Sequence, residues 1–293
     1  MIRILGTIFA GLLGLAFGSF LNVCLSRWPQ GESVVKPRSH CRNCDHSLAW
    51  WENVPLVSWL VLRGRCRSCR AWIGWRYPLV ELAIGVLWVA VFDRYFGSNI
   101  LNTTPIAASS DLAVILSKML FCWLLVALAV FDAEHLWLPD WLTWPGIVLG
   151  FLFNLLDWGL WGFNSLVYPV KTLMLAIGLR LLSIIAAAGL ILLIRWIYWL
   201  IRRREGIGLG DAKLMAMLAA WLGLPGALLA FALGVVLGAL VALLLLAIPS
   251  ARKPSERWAA GKLPLGTFLC VGGIVSSLWG QPIITAYLRW AGF

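Results

Sequence analysis

The sequence predicts an all-α polytopic membrane protein with about eight transmembrane helices, and three observations carry that prediction. Hydrophobic residues make up 61% of the 293, charged residues only 13%, and the mean hydropathy is +0.86, far above that of a soluble domain. Apolar runs of the ~20 residues that cross a hydrocarbon core recur along the whole chain and leave no room for a soluble catalytic domain. Basic residues gather in alternate segments between those runs, the positive-inside pattern. Of the 24 Lys and Arg, 9 fall between Arg27 and Arg76, with further clusters at Arg202, Arg203 and Arg204 and from Arg252 to Lys262. The net charge of +11 thus orients the chain and meets lipid, and its confinement to such loops argues against a nucleic-acid partner.

The elements follow in order. Ile4 to Leu25 is an apolar run without a basic leader or a small-residue cleavage site, so residues 1–25 read as a retained first helix. Residues 26–77 are rich in Trp, Pro, Arg and Cys and form the one sizeable module outside the bilayer, on the cytoplasmic side by the charge rule. Pro78 opens a second span to about Phe96, and the Lys- and Arg-free stretch 97–112 is an outside loop. A third span, about Ala113 to Phe131, is followed by a short break, DAEHLWLPD. A fourth runs from Trp141 to Leu156, with a second outside loop from Asp157 to Tyr168. The fifth, about Thr172 to Ile201, leads into EGIGLGD. Lys213 to Leu222 and Ala227 to Ile248 are two runs divided by a tight turn at Leu224-Pro225-Gly226, and the last span is Gly266 to Leu288. Eight spans with both termini outside put every basic cluster in the cytoplasm; the shortness of Lys213 to Leu222 makes seven the alternative.

Four of the seven Cys form two C-x-x-C pairs, Cys41 with Cys44 and Cys66 with Cys69, separated by 21 residues. Two such pairs complete a tetrahedral site of the zinc-ribbon type, and the reducing cytoplasm disfavours disulfides there. The alternatives are a redox dithiol, against which the absence of a βαβ pattern counts, and an empty relic. A loop with so few apolar residues needs the metal's binding energy to fold. With all four positions taken by Cys, the zinc is structural and activates no water. His40 and His46 flank the first pair as bystanders, either able to replace a Cys, while Cys24, Cys122 and Cys270 lie in apolar runs as small packing residues.

Charges at the ends of apolar spans need a reason, since a central one costs roughly 2.5–3.5 kcal/mol on insertion scales. Asp132 directly follows LLVALAVF, and Asp211 follows Gly206, Gly208 and Gly210 and precedes AKLMAMLAAWL. Taken singly, Asp211 reads as a helix N-cap and Asp132 as a solvated helix end; the glycines allow a positive φ and close helix approach. As a pair at one membrane border, they suit an aspartic dyad, whose carboxylates share one proton in a site of low dielectric. Asp140 reads as the cap of the helix starting at Trp141, Glu134 and His135 as solvated loop residues, and Lys213 as a partner of the dyad or of lipid phosphate.

FDAEHLWLPDWLT and GIGLGDAKLMAMLAAWLG resemble the two motifs of the prepilin peptidases, bacterial GxGD aspartic proteases. GSFLNVCLSRWPQGESVVKPRSHCRNC, RYPLVELAIG and LPLGTFL resemble further family segments in family order, so the likeness spans most of the chain. It implies Asp132 and Asp211 as catalytic residues, the four-cysteine zinc module on Cys41, Cys44, Cys66 and Cys69, and an aspartic peptidase core over 78–293. It also implies a bacterial inner-membrane enzyme that cuts the leader from type IV prepilins or type II secretion pseudopilins at the cytoplasmic membrane border. N-methylation of the new terminus with S-adenosylmethionine follows from the resemblance alone, since no nucleotide-binding fingerprint is visible. The rival from another class is a non-enzymatic membrane scaffold whose zinc loop binds a partner. A proton-relay transporter is disfavoured because both Asp lie at the border rather than midplane and no inverted repeat is evident.

Overall fold

A computed structural model of the chain describes residues 2–96, 105–163, 170–204, 206, 208–247 and 263–292, apart from the side chains of 105–111, 157–163 and 170–172. The described residues form helices joined by loops, with two isolated β-bridges and no strand. They form two compact units, 1–127 and 128–293, whose boundary falls inside one helix.

In the first unit, α1 (Ile2–Arg27) and α3 (Arg76–Phe96) are antiparallel. A Cβ on Gly6, Gly11, Gly14 or Gly18 would meet Phe92, Val89, Gly85 or Glu81 in turn, so one sequence falls as the other rises. Small residues let the backbones close up where lipid offers no hydrophobic drive between helices. The first part of α4 (Pro105–His135) adds to this pair: its Met119 carbonyl accepts from the Trp88 indole at 3.1 Å, and its Trp123 indole donates to the Phe17 carbonyl at 3.2 Å. Between α1 and α3 lies the cysteine module with the short α2 (Val57–Val61). Buried Arg27 ties it down by donating to the carbonyls of Ser33 and Pro37, and buried Glu81 accepts the Leu56 amide at 2.8 Å.

In the second unit, the end of α4 is joined by α5 (Asp140–Phe163), α6 (Val170–Arg202), α7 (Leu209–Ala247) and α8 (Leu265–Trp290). The start of α7 descends beside α5: Lys213 meets Asp140, and the Trp221 indole donates to the Gly146 carbonyl at 2.8 Å. At Gly223 the backbone is non-helical, with φ 74° and ψ 175°. Beyond it the contacts run the other way along α8, Gly226 against Ser276, Ala230 against Gly272, Gly234 against Leu269 and Gly238 against Phe268. The element therefore reverses at Gly223. The reversal frees carbonyls that lipid cannot satisfy, and the α6 side chain of Arg180 reaches them, donating to Ala219 O at 3.4 Å and to Asn154 Oδ1 at 2.5 Å. Asn154 in turn donates to Ala220 O at 2.8 Å.

Among the described residues, five helices are long and apolar enough to cross a membrane: α1, the Leu112–His135 part of α4, Leu173–Arg202 of α6, α7 and α8. The expected eight spans are thus not all met on that criterion. The run at α5, Asp140–Leu156, is short; α3 carries Arg76, Glu81, Asp93 and Arg94, which lower its apolarity; and the two expected runs from Lys213 and Ala227 lie in the single element α7. Boundaries also shift. Helix α4 continues through Asp132 to His135, leaving only 136–139 as the break, and α5 continues to Phe163, into the stretch expected as an outside loop. Residues 97–104 of the first expected loop, 164–168 of the second and the basic segment 249–262 lie outside the described residues, while 105–112, expected as loop, is helical because α4 begins at Pro105.

Candidate active site and metal centre

Asp132 occupies the last turn of α4 and Asp211 the first turn of α7, and both are buried, at 6% and 8% exposure. The two carboxylates interact electrostatically with one another. Their backing differs. Asp132 Oδ2 accepts the Thr267 backbone N–H at 2.6 Å and lies 3.2 Å from the Thr267 hydroxyl, at the amino end of α8, where amides have no intrahelical partner. Asp211 Oδ2 accepts the Gly208 N–H at 3.2 Å. Close approach to Asp132 requires Gly266, where a Cβ would stand 2.9 Å from the Asp132 carboxyl carbon. Gly210 sits helically against Leu138, 3.1 Å from where its Cβ would be, so it is used for space rather than for positive φ. Cys270 is fully buried one turn beyond Thr267, as a small packing residue should be.

The flanking polar residues divide differently from expectation. Asp140 is the first residue of α5, and its exposed carboxylate pairs with Lys213 at 2.5 Å; the amides of Leu142 and Thr143 bond instead to the Pro139 carbonyl. Lys213 is thus engaged with Asp140. Glu134 and His135 are exposed, 4.0 Å from each other.

In the cysteine module, the ligand atoms of Cys41, Cys44, Cys66 and Cys69 all lie within 4.8 Å of one another, and neither His40 nor His46 joins them. Sγ of Cys41 is 3.8 Å from that of Cys69, and Cys44 is 3.9 Å from Cys66. A tetrahedron with Zn–S bonds of about 2.3 Å has edges of about 3.8 Å, whereas a disulfide needs about 2.05 Å. The chain builds the same knuckle twice. Cys41 N–H donates to His46 O at 2.9 Å, Asp45 N–H to Cys41 O at 2.9 Å, Asp45 is left-handed at φ 55°, and His40 bridges to Ser47. Cys66, Ala71, Arg70, Arg65 and Trp72 repeat every one of these relations, with Arg70 at φ 56°. The Ala71 amide and then the Asn43 side chain pull the Cys69 thiol down to about 6, while its neighbour Cys44 is pushed up to about 12, as in a cluster of four thiols close enough to share protons. His46 instead faces buried Glu52 at 3.4 Å, and Glu52 accepts the Ala49 amide at 2.7 Å. The donor set therefore fits a structural zinc ion.

Two family models match the chain, the Bacterial Peptidase A24 N-terminal domain over residues 12–95 and the Type IV leader peptidase family over 119–243. Similar proteins include the prepilin leader peptidase/N-methyltransferases of Stutzerimonas stutzeri (32% identical, over 96% of this chain and 93% of the relative) and Pseudomonas aeruginosa (34%, 96% and 93%). That of Aeromonas hydrophila is 36% identical over 94% of this chain and 92% of its own length. The chain belongs to the type IV leader peptidase family. No solved structure matches it.

Within this leader-peptidase relative the motifs divide cleanly, the four Cys lying in the stretch matched to the N-terminal domain and Asp132 and Asp211 in the peptidase stretch. Thr267 lies beyond both. Sequence reasoning marked LPLGTFL as a family segment without giving Thr267 a task, because a hydroxyl in an apolar run carries no signal until its carboxylate partner is placed beside it. Arg180 was missed similarly, although a charge within the apolar run of α6 was a visible sign.

Proposed function

We propose that this chain is a membrane aspartic endopeptidase that removes the leader of type IV prepilins or type II secretion pseudopilins at the cytoplasmic membrane border, and N-methylates the new terminus. The observation that carries the reading is the pair of buried, interacting carboxylates at Asp132 and Asp211, within a chain whose relatives bear the name prepilin leader peptidase/N-methyltransferase. Two such groups in a site of low dielectric share one proton. The ionised member takes a proton from water as its oxygen bonds to the scissile carbonyl carbon, and the protonated member gives its proton to the carbonyl oxygen. The resulting diol collapses when the first carboxyl protonates the departing amine nitrogen and the C–N bond breaks, returning one proton to the pair.

Cys41, Cys44, Cys66 and Cys69 hold a structural zinc, whose four thiolates leave no position open for water. S-adenosylmethionine supplies the methyl group as a sulfonium; the reading of methylation rests on the relatives' names, and no residue is assigned to the donor. The chain lies in the bacterial inner membrane, held by lipid with its basic loops in the cytoplasm, and engages no nucleic acid. Eight traverses are supported by the reversal at Gly223: α1, α3, α4, α5, α6, the two limbs of α7, and α8.

The test is a prepilin incubated with the purified protein and S-adenosylmethionine, with the products weighed by mass spectrometry. A cut at the junction of leader and apolar helix, followed by one added methyl, is expected. Uncut precursor from folded protein contradicts the peptidase reading, and a cut but unmethylated product contradicts only the second activity.

A further inference from the structure

The two carboxylates of the pair are not held alike, and the difference bears on which takes which part. Asp132 Oδ2 receives the Thr267 amide at 2.6 Å and has the Thr267 hydroxyl at 3.2 Å. Among the described residues, Asp211 Oδ2 receives one amide, that of Gly208, at 3.2 Å. Donors directed at a carboxylate favour its ionised form, and those on Asp132 also carry the positive end of the α8 dipole. Asp211 has its own helix terminus at the start of α7, so the contrast lies in number and closeness of donors. The Thr267 hydroxyl has one proton and two acceptors in reach, Asp132 Oδ2 and the Ala129 carbonyl at 3.0 Å.

We propose that Thr267 is a positioning residue for the cleavage reaction, fixing Asp132 as the ionised base of the pair and leaving the proton on Asp211. Its hydroxyl turns with the charge of Asp132. This rests on the peptidase reading above. In the resting pair the hydroxyl donates to ionised Asp132. As a water O–H bond breaks, its proton passes to Asp132, the water oxygen bonds to the carbonyl carbon, and the Asp211 proton passes to the carbonyl oxygen. The Thr267 hydroxyl then swings to Ala129 O and presents a lone pair to the newly protonated carboxyl. When Asp132 gives that proton to the leaving nitrogen and Asp211 recovers one from the diol, the hydroxyl swings back. Neither Thr267 nor Ala129 gains or loses a proton over the cycle.

The experiment measures kcat and KM for prepilin cleavage by the full chain in liposomes, for Thr267→Ser and the near-isosteric Thr267→Val, beside Asp132→Asn and Asp211→Asn. Thr267→Ser should keep kcat within about threefold, and Thr267→Val should lower it about tenfold with KM unchanged, the scale of one hydrogen bond to a charged group. A wild-type kcat in Thr267→Val, or equal losses in Val and Ser, would overturn the proposal by leaving only packing. Should Thr267→Val not fold, Thr267→Ala against Thr267→Ser makes the same comparison. Failure of the peptidase reading is distinct, because the folded wild type would then leave the precursor uncut, whereas cleavage by the Asn variants would overturn the pairing of Asp132 with Asp211 and the proposal with it.

Discussion

Single atoms decide how the carboxylate pair is built. A methyl at position 266 would stand 2.9 Å from the Asp132 carboxyl carbon, and neither it nor the α8 backbone can retreat cheaply. Gly266→Ala should therefore lower kcat for prepilin cleavage at least about tenfold, since misplacement of a reacting group by less than an ångström already costs that much. Circular dichroism should show its helices intact. Asp140 provides the contrast. Its carboxylate is exposed and, among the described residues, pairs with Lys213, so Asp140→Asn should change stability by less than about 1 kcal/mol and leave cleavage within about threefold of wild type. Sequence could pick out Asp132 and Asp211 because charge at the edge of an apolar run is conspicuous. It misjudged Asp140 and Lys213, whose pairing spans 73 residues and has no local signature.

At the scale of elements, two devices organise the chain. The reversal of α7 needs a residue at φ 74°, which a side chain strains, and polar side chains for the freed carbonyls, Arg180 at Ala219 and Asn154 at Ala220. Gly223→Ala should cost about 1 kcal/mol or more, and Arg180→Leu about 1.5–3 kcal/mol, because Asn154 and the Ala219 carbonyl lose a charged donor. Thermal unfolding in detergent reads both. The turn itself was legible in Leu-Pro-Gly, one residue late, but its Arg180 support was not, because the hydropathy of α6 concealed a polar contact made through tertiary packing. The cysteine module was legible from spacing. Its internal twofold repetition was not, because His46 and Ala71, or Asp45 and Arg70, share a backbone role and no side-chain likeness. Cys66→Ser should abolish bound zinc, measured by metal analysis, and open the segment Ser33–Trp75 to proteases, which a strong chelator should reproduce in the wild type.

For the whole molecule, the apolar composition spoke plainly for helices in lipid, and the described residues form helices joined by loops. The number of crossings was harder to read. A helix bearing Glu81 and Arg94 and an element bent back at Gly223 each defeat a count based on length and apolarity. The family motifs, by contrast, depend on a few residues in order along the chain and survive such ambiguity. All of this supports one central claim, that Asp132 and Asp211 act together on a scissile peptide. Its most direct measurement is the single-turnover rate of prepilin cleavage by wild type, Asp132→Asn and Asp211→Asn, with folding of each verified by thermal unfolding. Both substitutions should lower the rate at least about a thousandfold, and the double variant should be scarcely slower than either alone, as for groups that act as a unit. Cleavage near the wild-type rate by either folded single variant would contradict the account.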